Sequence, residues 1–148
     1  MLRFRPFLLS ILALIMVFLV SCSNSPGMTQ APVYTPTQIE QIQRYQSGLL
    51  TLRDRLATLD LSIQNQEWTD VRSLIHGPLG ELRLRMNNLS RTLLPEAQTK
   101  TSQVAQDLYG HLNRLDEAAQ NADSVRAKQF YRDVLNDFDT FLSLIPKM

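Results

Sequence analysis

The sequence predicts an all-α fold, an up-down-up-down antiparallel four-helix bundle with a kinked second helix, and three observations carry that prediction. Apolar residues recur at intervals of three and four along four separate stretches, the spacing that aligns one face of a helix. Short segments rich in helix-capping and helix-breaking residues divide those stretches. Nothing alternates apolar and polar residues with period two over a useful length, and the Val, Ile and Thr residues are dispersed, so no strand competes. Four amphipathic helices on short connections bury their stripes against one another, and the short connections make consecutive helices antiparallel neighbours.

The first helix is expected to start at Thr37-Gln38-Ile39-Glu40, which has the form of a capping box: a hydroxyl for the Glu40 amide and a carboxylate reaching back. Its stripe is Ile39, Ile42, Tyr45, Leu49, Leu52, Leu56, Leu59 and Ile63. Asn65 is placed to cap a second helix with the stripe Trp68, Val71, Ile75, Leu79, Leu82, Met86, Leu89 and Leu93. His76-Gly77-Pro78 falls in its middle. Pro78 has no N–H to offer the carbonyl of Leu74, and a proline inside a helix costs about 3 kcal/mol, so a kink or short interruption is expected there.

Pro95 and Glu96 suit the first turn of the third helix, the proline because it needs no donor and the carboxylate because it favours the positive end of the dipole. The third stripe, Ala97, Thr101, Val104, Leu108, Leu112, Leu115 and Ala119, is thinner than the others. Asn121-Ala122-Asp123-Ser124 reads as a turn with two candidate caps. The fourth stripe follows as Ala127, Tyr131, Val134, Phe138, Phe141 and Ile145, stopped by Pro146.

Upstream of the bundle, Arg3 and Arg5 lead into the apolar run Phe7 to Val20, which closes on Leu19-Val20-Ser21-Cys22. Basic residues, a short apolar core and a small residue before a cleavage point are the parts of a secretory signal. The run is short for a membrane span. Leu-Val-Ser-Cys resembles the bacterial lipobox, which implies cleavage after Ser21, diacylglycerol on the Cys22 thiol and acylation of the new amino terminus. Two or more acyl chains hold a protein to a bilayer where one does not. The expected organisation is a signal peptide over residues 1–21, a lipidated flexible linker over 22–36, rich in Ser, Asn, Pro, Gly, Thr and Gln, and the bundle over 37–148.

Without the first 21 of its 148 residues the chain keeps 127, enough for one core without staples. Cys22 is the one cysteine, and once lipidated it leaves no thiol for a disulfide, redox chemistry or a metal. The remainder carries 13 basic residues against 14 acidic ones, which argues against nucleic acid as a partner. The charge is segregated, with Arg72, Arg83, Arg85 and Arg91 in one stretch and Asp133, Asp137 and Asp139 in another. The plainest reading of each run is a solvated helix face.

The residues offer little to an enzyme. His76 and His111 are the two imidazoles. A di-iron bundle needs a carboxylate three residues before each histidine, and those positions hold Ser73 and Leu108. A haem held by a histidine and Met86 requires them to face inward together. A structural zinc site takes four ligands, so His76 with one carboxylate could hold only adventitious zinc. Nucleophile elbows and phosphate-binding glycine loops are missing, and Asp54/Asp60 and Asp137/Asp139 are spaced for helix surfaces. No enzyme, metal or cofactor is expected. Trp68, Tyr131, Phe138 and Phe141 at helical spacing read as core, and His111 as a partly exposed or hydrogen-bonded residue at the bundle edge.

The segment Trp68-Thr69-Asp70-Val71-Arg72-Ser73-Leu74-Ile75-His76-Gly77-Pro78-Leu79-Gly80-Glu81-Leu82-Arg83, with Ala127 to Tyr131 and Asp137-Phe138-Asp139-Thr140-Phe141-Leu142, resembles the cyanobacterial PsbQ family. The likeness runs from about Thr37 to Pro146 and includes the lipobox. It implies a lipid-anchored, non-catalytic extrinsic subunit on the lumenal side of photosystem II in the thylakoid membrane, folded as a four-helix bundle. Its implied partners are the photosystem II core and other extrinsic lumenal subunits; its implied task is to stabilise the oxygen-evolving cluster without ligating it and to support assembly and dimer states. Unlike plant members, the chain has a lipobox where they have a plastid transit sequence, and it lacks a strongly basic balance. Arg72, His76, Pro78 and Arg83, grouped at the predicted kink, are the expected partner-binding residues. A periplasmic helical-bundle adaptor or metal-binding lipoprotein unconnected to photosynthesis is the other reading.

Overall fold

The computed structural model describes residues 33–147. The expected signal, Cys22 and the linker up to residue 32 lie outside the described residues. Those described form four helical segments and no strand. The first is α1 (Pro36–Gln64); the second is broken into α2 (Trp68–His76), a 3-10 turn (Pro78–Glu81) and α3 (Leu82–Thr92); the third is α4 (Pro95–Gln120) and the fourth α5 (Ser124–Ser143).

The capping box at the start of α1 sits two residues earlier than Thr37 and uses different partners. The Gln38 N–H donates to Thr35 Oγ1 at 3.3 Å, and the Thr35 N–H donates to Gln38 Oε1 at 2.9 Å. Pro36 explains the shift: at the first helical position its fixed φ suits the helix and its missing N–H goes unneeded, so the helix starts on it. The end of the expected linker is correspondingly ordered. Tyr34 packs on the core and its hydroxyl accepts a hydrogen bond from the Leu94 N–H at 3.1 Å.

Asn65 closes α1 instead of opening α2, a second correction. Gln66 follows with φ 60°, its N–H donating to the Ile63 carbonyl, while the Glu67 N–H reaches the Ser62 carbonyl. That is the Schellman arrangement, which satisfies the carbonyls a helix end leaves open. The turn after α4 repeats it: Asn121 is the C-cap, Ala122 has φ 53°, and the Asp123 N–H reaches the Ala118 carbonyl. Asp123 then caps α5, accepting from the Val125 and Arg126 N–H groups at 3.1 and 3.0 Å. A left-handed residue with a Cβ costs roughly 1–2 kcal/mol, offset in a glycine by roughly 0.4–1 kcal/mol of extra unfolded-state entropy. Gln66→Gly and Ala122→Gly are therefore each expected to stabilise the domain by about 0.5–1 kcal/mol in urea unfolding, and a loss of stability would contradict this reading of the turns.

The predicted break occurs where expected. The Gly77 N–H still donates to the Ser73 carbonyl at 2.9 Å, and a Cβ on Gly77 would lie 2.7 Å from that same oxygen, so the close approach needs glycine. Pro78 then opens the 3-10 turn, which carries Leu79 into the core before α3 resumes on Leu82.

Most of each expected stripe is buried, while Ile39, Tyr45, Trp68, Ala97 and Val104, nearer the ends or edges of the stripes, are only partly so. Ile42, Leu49, Leu56, Leu59 and Ile63 of α1, Val71 of α2, Leu82, Met86 and Leu89 of α3, and Phe138 and Phe141 of α5 are fully buried. The third stripe is wider than the sequence suggested: Ala105, Tyr109 and Ala118 join Leu108, Leu112 and Leu115. The cause is geometric, because α4 packs against α2 and α3 on one side and α5 on the other. Likewise α1 packs on α2, α3 and α5, while the backbones of α1 and α4 stay farther apart, across the core from each other. The four segments thus close a ring around one core. No described helix is long and apolar enough to cross a membrane.

Candidate functional site

The seam between the broken second segment and α4 gathers most of the residues the sequence singled out. Arg72 lies one turn before the end of α2 and His76 at its last position, so both point along one side of that helix. They meet the same atom of α4. Arg72 Nε donates to Asp116 Oδ1 at 3.1 Å, and His76 Nε2 lies 3.0 Å from that oxygen. Half-exposed ion pairs of this kind are worth roughly 0.2–1 kcal/mol, so the cluster contributes little to stability. Its effect is positional: it holds a guanidinium and an imidazole on one carboxylate at the surface of the seam.

Arg83, at the second position of α3, is set differently. Its guanidinium lies 4.6 Å from the centroid of the Tyr109 ring on α4, over the negative face that attracts cations. The Tyr109 hydroxyl donates to the Arg83 carbonyl at 3.1 Å. Burial pushes the Tyr109 phenol up to about 12, against the pull of Arg83, so it remains a neutral donor. Pro78 is exposed in the 3-10 turn between these groups. Beneath them is a cavity of about 190 Å³ floored by Ile75, Leu79, Leu82 and Leu112 and edged by His76, Gly80, Arg83, Tyr109, Asn113 and Asp116. An open groove of about 450 Å³ lies on the other side of His76, lined by Trp68, Thr69, Arg72, Ser73, Ala119 and Gln120.

Asp116, Tyr109 and Asn113 were not singled out from the sequence. Asp116 flanks the third stripe one turn after Leu112, and that edge position was the available signal. Several of the other charges singled out are paired away from the seam. Arg85 pairs with Glu81 at the end of the 3-10 turn, Asp139 accepts from Arg53 Nε and Nη2 at 3.0 and 3.3 Å, and His111 Nδ1 lies 2.6 Å from Asp137 Oδ2. The basic and acidic stretches therefore do not pair with each other. The hydrogen bond to Asp139 raises Arg53 above the usual guanidinium range and keeps it charged. Both histidines are engaged at the surface of α4 while Met86 is buried in the core, so neither histidine faces inward with Met86 as the haem reading would require. Among the described residues no three His, Cys, Asp or Glu side chains converge as a metal site would need.

Comparison with known proteins settles what kind of bundle this is. The family model PsbQ, described as oxygen evolving enhancer protein 3, matches residues 9–146. The chain belongs to the PsbQ family. A curated relative, CyanoQ of Synechocystis sp., is 42% identical over 146 residues, covering 98% of this chain and 97% of the relative. The interrupted second segment sets Arg72, His76 and Arg83 beside an apolar cavity, so the seam combines charge, a stacked guanidinium and a small apolar recess.

Proposed function

We propose that this chain is a non-catalytic extrinsic subunit of photosystem II that docks on the lumenal side through the α2–α4 seam and stabilises the oxygen-evolving complex. The observation that carries the reading is the membership of nearly the whole chain in a family named for enhancing oxygen evolution. The seam supplies the physical means: two arginines and a histidine at the break in the second helical segment. A periplasmic adaptor unrelated to photosynthesis has nothing comparable in its favour.

The four segments run up-down-up-down in this proposal. Three pairings support it. His76 meets Asp116 while Arg83 meets Tyr109, so the second segment and α4 run oppositely. Arg53 meets Asp139 while the Leu56 carbonyl accepts from the Tyr131 hydroxyl at 3.0 Å, so α1 and α5 do too. The tight turn at Asn121 to Asp123 reverses the chain between α4 and α5.

Residues 1–21 serve as export signal and 22–33 as tether in this proposal, with lipid on Cys22 holding the domain at the thylakoid membrane; Tyr34 to Pro36 of the expected linker belong to the domain. A tether raises the local concentration of the domain near its partner, which makes a weak contact sufficient. Cys22→Ser is expected to abolish labelling by a fatty-acid analogue and to block lipoprotein-type cleavage, so the signal segment stays on the chain. A processed Cys22→Ser protein that stays wholly with the membrane would contradict the anchor. The functional reading itself is tested by affinity purification of the full chain through a C-terminal tag: photosystem II core subunits and other extrinsic subunits are expected with it, and their absence would overturn the assignment.

A further inference from the structure

Arg83 differs from its two neighbours in being uncommitted. Arg72 and His76 share Asp116, whereas Arg83 has no carboxylate within salt-bridge distance among the described residues. Tyr109 holds it in place from below, and Tyr109 is fixed in turn by burial and by its hydrogen bond to the Arg83 carbonyl. A guanidinium stacked on a ring keeps its N–H donors available at its edge, in a fork that matches a carboxylate. Directly beside it the cavity of about 190 Å³ has an aliphatic floor. Pockets that enclose whole cofactors or ligands run to roughly 300–1,000 Å³, so this one is sized for a single side chain.

Gly80 stands at the mouth. A Cβ there would meet only the Ile75 carbonyl oxygen, at 3.8 Å, so packing does not demand glycine at this position. The missing side chain leaves the recess open. Charge around the recess is weighted to the positive side, with Arg72 and Arg83 against Asp116; Glu81, the other nearby carboxylate, is held by Arg85. We propose that this corner seats an acidic segment of a partner protein, placing one leucine- or isoleucine-type side chain in the cavity and a carboxylate of the same segment on Arg83. The inference rests on the reading of the seam as a docking face and names the chemistry of what it meets.

The test uses the full chain in detergent, isotopically labelled, titrated with the capped peptide acetyl-Glu-Glu-Leu-Glu-amide and, as control, acetyl-Gln-Gln-Ala-Gln-amide. The Tyr109 ring and Arg83 Nε–H resonances are expected to move with the acidic peptide and not with the control. Gly80→Leu, which fills the mouth, and Arg83→Gln, which removes the charge, are each expected to weaken binding at least tenfold with unchanged circular dichroism. Resonances that stay put up to millimolar acidic peptide, or a Gly80→Leu protein that binds as wild type, overturn the proposal. A second arm measures binding of the same proteins to photosystem II from cells lacking this chain. Wild type and Gly80→Leu binding equally well there sinks the recess and leaves the docking reading standing. Wild type failing to bind the photosystem sinks the docking reading, and the peptide titration still decides the recess.

Discussion

Phe138→Ala is expected to destabilise the domain by about 3–5 kcal/mol, the range found when a buried aromatic side chain is truncated and the cavity only partly collapses. Phe138 is fully buried on α5 and is among the largest side chains in the core, next to Phe141 one turn on. Domains of this size have total stabilities of about 5–15 kcal/mol, so the loss is a large fraction of what holds the bundle together. Urea unfolding followed by circular dichroism measures it. Leu50→Ala is the matched control: Leu50 is 46% exposed on α1, and surface changes usually stay within about 0.5 kcal/mol. A Phe138→Ala effect below about 1 kcal/mol would mean that the fourth stripe does not face the core.

Much of the fold was legible because its decisive signal is local. The spacing of Leu49, Leu52, Leu56 and Leu59, or of Val134, Phe138 and Phe141, reports a buried face without knowledge of what covers it, and each is buried. Gly77-Pro78 broke the second segment because the backbone chemistry of those two residues allows little else. What escaped depends on neighbours. Thr35 rather than Thr37 caps α1, since Pro36 competes as the first helical residue. Asn65 ends a helix instead of starting one, because a Schellman turn can be closed by Gln66 with no glycine to announce it. The breadth of the α4 face follows from its two sets of neighbours, which no single-helix pattern contains.

The site divides in the same way. Arg72, His76 and Arg83 were visible as a cluster around the break, but Asp116 and Tyr109 enter only through the register of one helix against another. That register sorts the cluster into a bridged pair and a free arginine. No property of the segment from Trp68 to Arg83 taken alone distinguishes them.

Arg72→Glu combined with Arg83→Glu is expected to lower the affinity of the protein for photosystem II by about ten- to a hundredfold, roughly 1.4–2.8 kcal/mol. Two cations become two anions on one seam, and the Glu replacing Arg72 would face Asp116 with like charge. Both arginines are at least partly solvent-exposed, so helicity should be retained. Charge contacts at a rim act through long-range attraction and are screened by salt, so wild-type binding should weaken as ionic strength rises, with a shallower dependence in the double variant. Oxygen evolution in cells carrying the double variant should become more sensitive to calcium or chloride depletion. Unchanged affinity and salt dependence would place the interface on another face of the bundle.

The most direct measurement is cryo-electron microscopy of oxygen-evolving photosystem II purified through the tagged chain. The account predicts the bundle on the lumenal face with the seam from Arg72 to Arg83 turned towards another subunit. A bundle bound there with Arg72, His76, Pro78 and Arg83 all facing solvent, or particles without the bundle at all, would contradict it.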